Sequence, residues 1–454
     1  MSAEGKQFHF GVLSFTGTGH LNPLLVLALE LKQRGHRVTF FEKPKIEDRV
    51  RQAGLDFFAV GDKISPFSGN RPTAHNASLL SEFSLLRFNL ARISRDLKAY
   101  LHDLPPALIR TKVNVLLINE IALTGPTLAQ FLGLPYIIIS TSVPHNLGWH
   151  AYPWFSGYRY SASWLSGMHD ALLEVSAVNA HGPIRRVLNR YRRNLGLGPV
   201  QEVERLYPAL AQITQLPHCL DFPRTNLPAN FHYTGPFAKE TSRPAVDFPW
   251  HRVDGRPLIY ASLGTTRNVQ PHVFHMIAEA CQDLDLQLVI SLGGRFDPDS
   301  FPDLPGNPLI ARYAPQLELL KLAKVVITHG GPNTVFESLM EGKPMVAIPL
   351  AHDQPAVSAR LARLNIAEVL PVMRLSARRI RTAVKKVLYS PQYRDAAAKM
   401  QTELQSLRGV ERAVELIEGA LEKRAEPTAS APQFPDVNRS RTSTPWWRSQ
   451  YFSS

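Results

Sequence analysis

The segment Thr328-His329-Gly330-Gly331-Pro332-Asn333-Thr334-Val335-Phe336-Glu337 constrains the fold more than any other stretch of this chain. An apolar run, Lys324-Val325-Val326-Ile327, leads into it, and Val335-Phe336-Glu337-Ser338-Leu339-Met340 leads out with helix-compatible spacing. That order is a buried strand, a tight turn and a helix start. Gly330 and Gly331 let the backbone approach a ligand closely. The following helix aims free N–H groups and a partial positive charge at the turn, which suits a phosphate. His329, Asn333 and Thr334 add side-chain donors at the same place. The alternative is an ordinary strand–turn–helix with a glycine stop. Convergence of so many polar groups on one turn favours a diphosphate cradle.

The same grammar recurs in two series. In the first, residues 8–15 read as a strand and Thr16-Gly17-Thr18-Gly19-His20-Leu21-Asn22-Pro23 as its turn. A helix over 24–34 is stopped by Gly35, and a strand follows over 37–41. Residues 46–102 read as mostly helical, and further strands fall at 113–118 and 136–139 around a helix at 125–132. Such βαβ units imply a parallel, doubly wound sheet. Gly17-x-Gly19 invites a dinucleotide reading, but Asn22 stands where the third glycine belongs, so that fingerprint fails. The second series has strands at 258–263, 287–291, 324–327 and 344–349, each with a polar or glycine-bearing turn at its carboxyl end, where open α/β sheets bind ligands.

At 454 residues the chain exceeds one core, so two domains are expected. The expected division is an N-terminal domain over 1–238, a proline- and charge-rich linker over 239–256 and a C-terminal domain over 257–405. A helix over 406–424 is expected to pack back on the N-terminal domain, and residues 425–454 read as a disordered tail. The formal net charge of +13 admits nucleic acid, an anionic membrane face or an anionic small substrate as partners. The basic residues sit in short clusters such as Arg378-Arg379-Ile380-Arg381, without a nucleic-acid-binding motif, so no nucleic acid is expected. No apolar run is long enough to span a bilayer and no signal peptide is recognisable, so a cytoplasmic protein is expected, with peripheral contact at the inner face of an anionic membrane. Cys219 and Cys281 have no ligand-like spacing, which speaks against a disulfide scaffold or a zinc site. An aromatic region containing His145, Trp149 and Trp154 either lines a pocket for a large apolar ligand or forms a satellite core under a long loop.

Together these features resemble the family 1 UDP-glycosyltransferases, over nearly the whole chain up to the tail. The specific portion is Tyr313-Ala314-Pro315-Gln316, then His329-Gly330-Gly331-Pro332-Asn333-Thr334, Glu337, Gly342-Lys343-Pro344-Met345 and Asp353-Gln354-Pro355. The segments Ala211-Gln212-Ile213-Thr214-Gln215-Leu216, Leu220-Asp221-Phe222-Pro223-Arg224 and Ala261-Ser262-Leu263-Gly264-Thr265 look most like bacterial zeaxanthin (carotenoid) glucosyltransferases. The resemblance implies an α/β GT-B fold, with two Rossmann-like, doubly wound parallel-sheet domains facing across a cleft. It implies that Tyr313 stacks on uracil, that the Ala314 backbone pairs with the base edge, and that Gln316 and Glu337 hold the ribose. Gly264, Thr265, His329, Gly331, Asn333 and Thr334 would hold the diphosphate, and Asp353 and Gln354 would read sugar hydroxyls. Taken alone, Asp353 is a helix N-cap and Glu337 a solvated helix carboxylate.

His20 matches the family's general base, a sensible job for an imidazole near its working pKa. The family pairs this histidine with an aspartate, but Asn119 stands there, followed by Glu120. Asn119 can fix the imidazole tautomer but cannot stabilise an imidazolium as a carboxylate does. Either Glu120 takes that place or base catalysis is weak. The implied activity is inverting transfer of a hexose, glucose foremost, from a UDP-sugar to a hydroxyl of an apolar acceptor such as a carotenoid, lipid, sterol or polyketide. His145, Trp149 and Trp154 are the expected acceptor contacts. No cofactor and no metal are expected: Asp283-Leu284-Asp285 and Asp297-Pro298-Asp299 show a D-x-D spacing outside its usual fold context. Rival readings are a non-catalytic homologue that acts as a binding partner, which Asn119 favours, and a UDP-sugar epimerase, which the Gly19-His20 turn disfavours.

Overall fold

The computed structural model describes residues 6–61, 79–144, 182–200, 209–224, 227–239, 246–265, 271–294 and 296–425, with residues 79–94 described by backbone only. Two parallel sheets organise them. The first holds seven strands in the order β3-β2-β1-β4-β5-β6-β7. They are β1 His9–Leu13, β2 Arg37–Glu42, β3 Asp56–Ala59, β4 Val115–Asn119, β5 Tyr136–Ser140, β6 Ala211–Thr214 and β7 Phe231–Tyr233. The second holds six in the order β10-β9-β8-β11-β12-β13. They are β8 Leu258–Ser262, β9 Gln287–Ser291, β10 Leu309–Ala311, β11 Ala323–Thr328, β12 Met345–Ala347 and β13 Ala367–Val369. In both, the order reverses beside the first strand of the series, which is the topological switch point where such sheets bind ligands.

Side-chain alternation assigns the two faces. Val115 and Leu117 of β4 point to a core shared with helix Thr18–Gln33, through Leu24, Leu27 and Leu31. Leu116 and Ile118 point to the opposite core, with Leu104 and Leu108 of helix Leu79–Thr111. Both faces are covered, so β4 and β5 are buried along their whole length, as parallel strands require. The second sheet divides likewise. Tyr260, Val289 and Val326 face Phe336 and Val357, while Ile259, Ile290 and Ile327 face Phe274 and Ile380.

The last helix, Gly409–Ala425, adds Val410, Val414 and Ile417 to the core of the first sheet, and its Glu418 pairs with Arg34 at 2.8 Å. The segment after β7 carries Lys239, which reaches Glu30 at 2.6 Å.

Two sequence expectations change. Residues 46–102 contain β3, paired in register with β2 (Thr39 opposite Asp56), where helix was expected. Four residues at a sheet edge leave too little periodicity to register. The first helix begins at Thr18, so His20 and Pro23 lie inside it rather than in the preceding turn. Gly17 is its N-cap and its carbonyl accepts the N–H groups of His20 and Leu21, both at 3.0 Å. Pro23 marked a loop by its missing donor, yet a helix tolerates that loss when the freed carbonyl finds another partner.

Candidate active site

The carboxyl ends of the two sheets face each other, and the polar turns meet there. Behind β11, Gly331 is the N-cap of helix Pro332–Met340, with Pro332 in the first turn where a missing N–H does no harm. His329 is half-buried beside this turn, with its Nδ1 atom closed off from solvent. Gly264, which follows β8 with a φ of +79°, and Gly331 lie against its imidazole from two sides; a Cβ on either would collide with the ring. Burial pushes the His329 imidazole down to about 4, against opposing pulls from Asp353 and the Ser262 backbone. It is therefore neutral near pH 7 and places no cation at this turn.

The nucleotide side is built from β9, β10 and the same helix. Tyr313 follows β10 and is 52% exposed, its ring occupying space that Gly294 leaves open after β9. Its neighbour Ala314 packs partly buried on the core. Gln316 donates to Glu337 at 2.6 Å and accepts from the Tyr260 hydroxyl at 3.1 Å. The two residues expected at a ribose are thus one unit, and Glu337 is buried rather than a solvated helix carboxylate. Thr334 is buried in the first turn of that helix.

Asp353 precedes helix Gln354–Arg363, but its carboxylate makes no cap bond; it accepts from Ser142 across the cleft. That contact excludes a simple N-cap role. Gln354 uses its carbonyl oxygen to accept from Leu350 at 2.8 Å and Ala351 at 3.0 Å, which fixes the orientation of its side-chain amide.

On the facing side His20 sits in the first turns of its helix, edge-on to Phe15 at 5.7 Å. Its Nδ1 lies 2.7 Å from the Thr141 hydroxyl, to which Asn119 donates at 3.1 Å. Asn119 therefore reaches the imidazole through Thr141, a link the sequence reading did not contain. Glu120 is buried after β4, with its backbone N–H on Ile139 at 3.1 Å. Thr18 and Thr265 share a hydroxyl contact of 2.5 Å across the cleft. Asn333 donates to the Gly19 carbonyl at 3.1 Å and accepts from Gln215 at 3.3 Å. A cavity of about 110 Å³ lies alongside, lined in part by Asn22, Gln215, Lys239, Asn333 and Glu337.

The structure thus brings Thr265, Asn333 and Asp353 into contact with the lobe that carries His20, with Gly264 against His329 and Gln316 on Glu337 on the same side as these three. Thr141, Ser142 and Gln215 also stand at this cleft, and sequence reasoning missed them as site residues. They lie just after β5 and β6, and that position at a parallel strand's carboxyl end was the available signal. The expected acceptor contacts His145, Trp149 and Trp154 lie outside the described residues. Of the carboxylate pairs, Asp283 is engaged by Arg381 at 2.8 Å and Asp297 caps the Asp299 N–H at 3.2 Å. Among the described residues no cluster of three or more His, Cys, Asp or Glu could hold a metal. None of their helices is long and apolar enough to cross a membrane.

Comparison with known proteins agrees with this geometry. Residues 98–422 match the family described as UDP-glucoronosyl and UDP-glucosyl transferase, and residues 12–127 match the glycosyltransferase family 28 N-terminal domain. The chain is 30% identical to a zeaxanthin glucosyltransferase of Pantoea ananas, over 90% of this chain and 95% of that protein. It is 27% identical to the NDP-glycosyltransferase YjiC of Bacillus subtilis (strain 168), over 93% of this chain and 100% of that protein. The crystal structure of CalG4, the calicheamicin glycosyltransferase, superposes with a TM-score of 0.71 at 23% identity, covering 93% of this chain and 100% of that one. The facing parallel sheets, the donor signature at their cleft and these matches identify the chain as a GT-B enzyme that transfers sugar, a member of the UDP-glucuronosyl and UDP-glucosyl transferase family.

Proposed function

We propose that the chain is an inverting glucosyltransferase that moves glucose from UDP-glucose to a hydroxyl of an apolar alcohol, with a carotenoid as the leading acceptor class. The observation that carries this reading is the meeting of His20 and the His329–Glu337 turn in one cleft, joined by the Gly19–Asn333 and Thr18–Thr265 contacts. The acceptor oxygen attacks the anomeric carbon as the bond to the UDP oxygen breaks, and UDP leaves with the electron pair. The acceptor proton passes to Nε2 of His20. That requires the proton of the resting imidazole on Nδ1, donated to the Thr141 hydroxyl 2.7 Å away. Charge growing on the diphosphate falls among the Gly264 turn, neutral His329 and the helix N-terminus. With those donors in place the transfer needs no divalent metal. Asp353 and the NH2 of Gln354 are assigned to sugar hydroxyls, Tyr313 to the base, and Gln316 and Glu337 to the ribose. The zeaxanthin glucosyltransferase relative supports the acceptor class. The net charge of +13 supports collection of that acceptor at an anionic membrane face of the cytoplasm.

One assay tests the reading. Labelled UDP-glucose is incubated in EDTA with zeaxanthin and other apolar alcohols, held in either phosphatidylglycerol or phosphatidylcholine vesicles. The expected result is glycoside formation, faster from the anionic vesicles, and a loss of about 10²-fold or more in His20→Ala. UDP release without any glycoside overturns the transferase reading for these acceptors. Full turnover by His20→Ala removes the base, and dependence on an added divalent metal removes the metal-free mechanism. A Glu120→Gln variant with unchanged turnover excludes Glu120 as the missing carboxylate.

A further inference from the structure

A closed circuit of hydrogen bonds runs through the cleft beside His20. Gln215, 1% exposed after β6, donates one amide hydrogen to the Thr141 carbonyl at 2.5 Å and the other to Asn333 Oδ1 at 3.3 Å. Its own carbonyl accepts the Phe237 N–H at 3.2 Å. All three amide functions are thereby used, which fixes the orientation of the group. Asn333 in turn donates from Nδ2 to the Gly19 carbonyl at 3.1 Å. In a regular helix that carbonyl would accept the N–H of the residue four positions on. Here that residue is Pro23, which has none. Gly19 precedes His20, whose Nδ1 meets Thr141, and the Thr141 carbonyl is where the circuit began.

We propose that Gln215 and Pro23 are positioning residues that latch the donor turn to the base. Pro23 keeps the Gly19 carbonyl open, and Gln215 orients Asn333 so that its NH2 meets that carbonyl. Both strands of the latch pass through Asn333, the second residue of the donor helix. Seating the donor turn therefore sets the distance and angle of His20, rather than leaving them to the general fit of two lobes. Near-attack alignment is sensitive to displacements of about 1 Å, which can change rate on the order of 10²-fold. The latch rests on the base assignment of the proposed function, yet makes demands of its own.

Pro23→Ala separates the latch from ordinary packing. An alanine there restores an N–H that competes with Asn333 for Gly19, while the helix itself gains a better helix former. The expected result is a thermal midpoint equal to or above wild type, with kcat lowered at least about tenfold and the KM for UDP-glucose changed less than about threefold. Gln215→Glu keeps the shape but sets a carboxylate against two acceptors, and should lower kcat similarly. X-ray scattering with UDP bound should show both variants more open than wild type. Wild-type kcat and wild-type scattering in Pro23→Ala and Gln215→Glu overturn the latch, whatever His20→Ala does. Full turnover in His20→Ala with slow, open latch variants instead overturns the base assignment and keeps the latch as a closure device.

Discussion

At the residue scale, burial decides which titratable groups stay charged. Glu42 ends β2 at 1% exposure, accepts from the Tyr100 hydroxyl, and receives the Lys43 N–H at 2.8 Å. Burial pushes its carboxyl up to about 7, and the hydrogen bonds from Tyr100 and Lys43 only partly oppose that. A carboxyl raised in the folded state adds stability below its unfolded pKa and loses it as pH rises through the folded value. The window here runs from about 4.5 to about 7, and the whole effect is at most about 3 kcal/mol. Thermal melts of wild type and Glu42→Gln from pH 5 to pH 8 should therefore diverge, wild type losing more as pH rises. Parallel profiles would show that Glu42 is ionised throughout. His329 works in the opposite direction: depressed to about 4, it contributes stability above its ordinary value that is lost as pH falls towards 4.

At the element scale, the donor site depends on two strand–turn–helix units sharing one histidine. The turn after β11 was legible because its glycines and polar residues follow an unmistakable apolar run. That Gly264, distant in sequence, closes on the same imidazole was not legible, because no local pattern records which turns abut. Gly264→Ala places a Cβ into the His329 ring at a φ of +79°. UDP affinity measured by calorimetry should fall at least about tenfold, with a stability loss of about 1 kcal/mol or more. Wild-type affinity in that variant would remove His329 from the donor site. The short strands β3, β10 and β13 escaped the sequence reading for a related reason: three or four residues cannot display a period.

At the scale of the whole molecule, a buried ion cluster ties the segment before β7 to the second lobe. Asp221 accepts from Arg224 at 2.7 Å, from Tyr233 at 2.8 Å and from Arg360 of helix Gln354–Arg363 at 2.8 Å. The Arg360 guanidinium also stacks over Phe222 at 4.3 Å. Burial pushes the Asp221 carboxyl up, but the Arg224 and Arg360 guanidiniums outweigh it and hold the group at about 2. Its contribution is thus present above the ordinary carboxylate range and lost only as pH falls towards 2. Asp221→Asn strands two buried guanidiniums and should destabilise the chain by about 3–5 kcal/mol. Urea unfolding should then split into two transitions as the lobes uncouple; a single wild-type-like transition would show that the cluster carries no coupling.

By itself the sequence determined two βαβ series, the polar and glycine-bearing turns that end their strands, and the resemblance to a sugar-transferring family. Each of these is written in local order: apolar runs, glycine placement and turn polarity within some ten residues. What belonged to the tertiary structure was the pairing of distant turns. It put Thr141 between His20 and Asn119, turned Asp353 from a cap into an acceptor for Ser142, and filled the carbonyl left open by Pro23 with Asn333. The Ser142–Asp353 and Asn333–Gly19 bonds join residues 211 and 314 positions apart and depend on how the two lobes close, while the Thr141 contacts depend on the packing of elements within the first lobe; no local period records either.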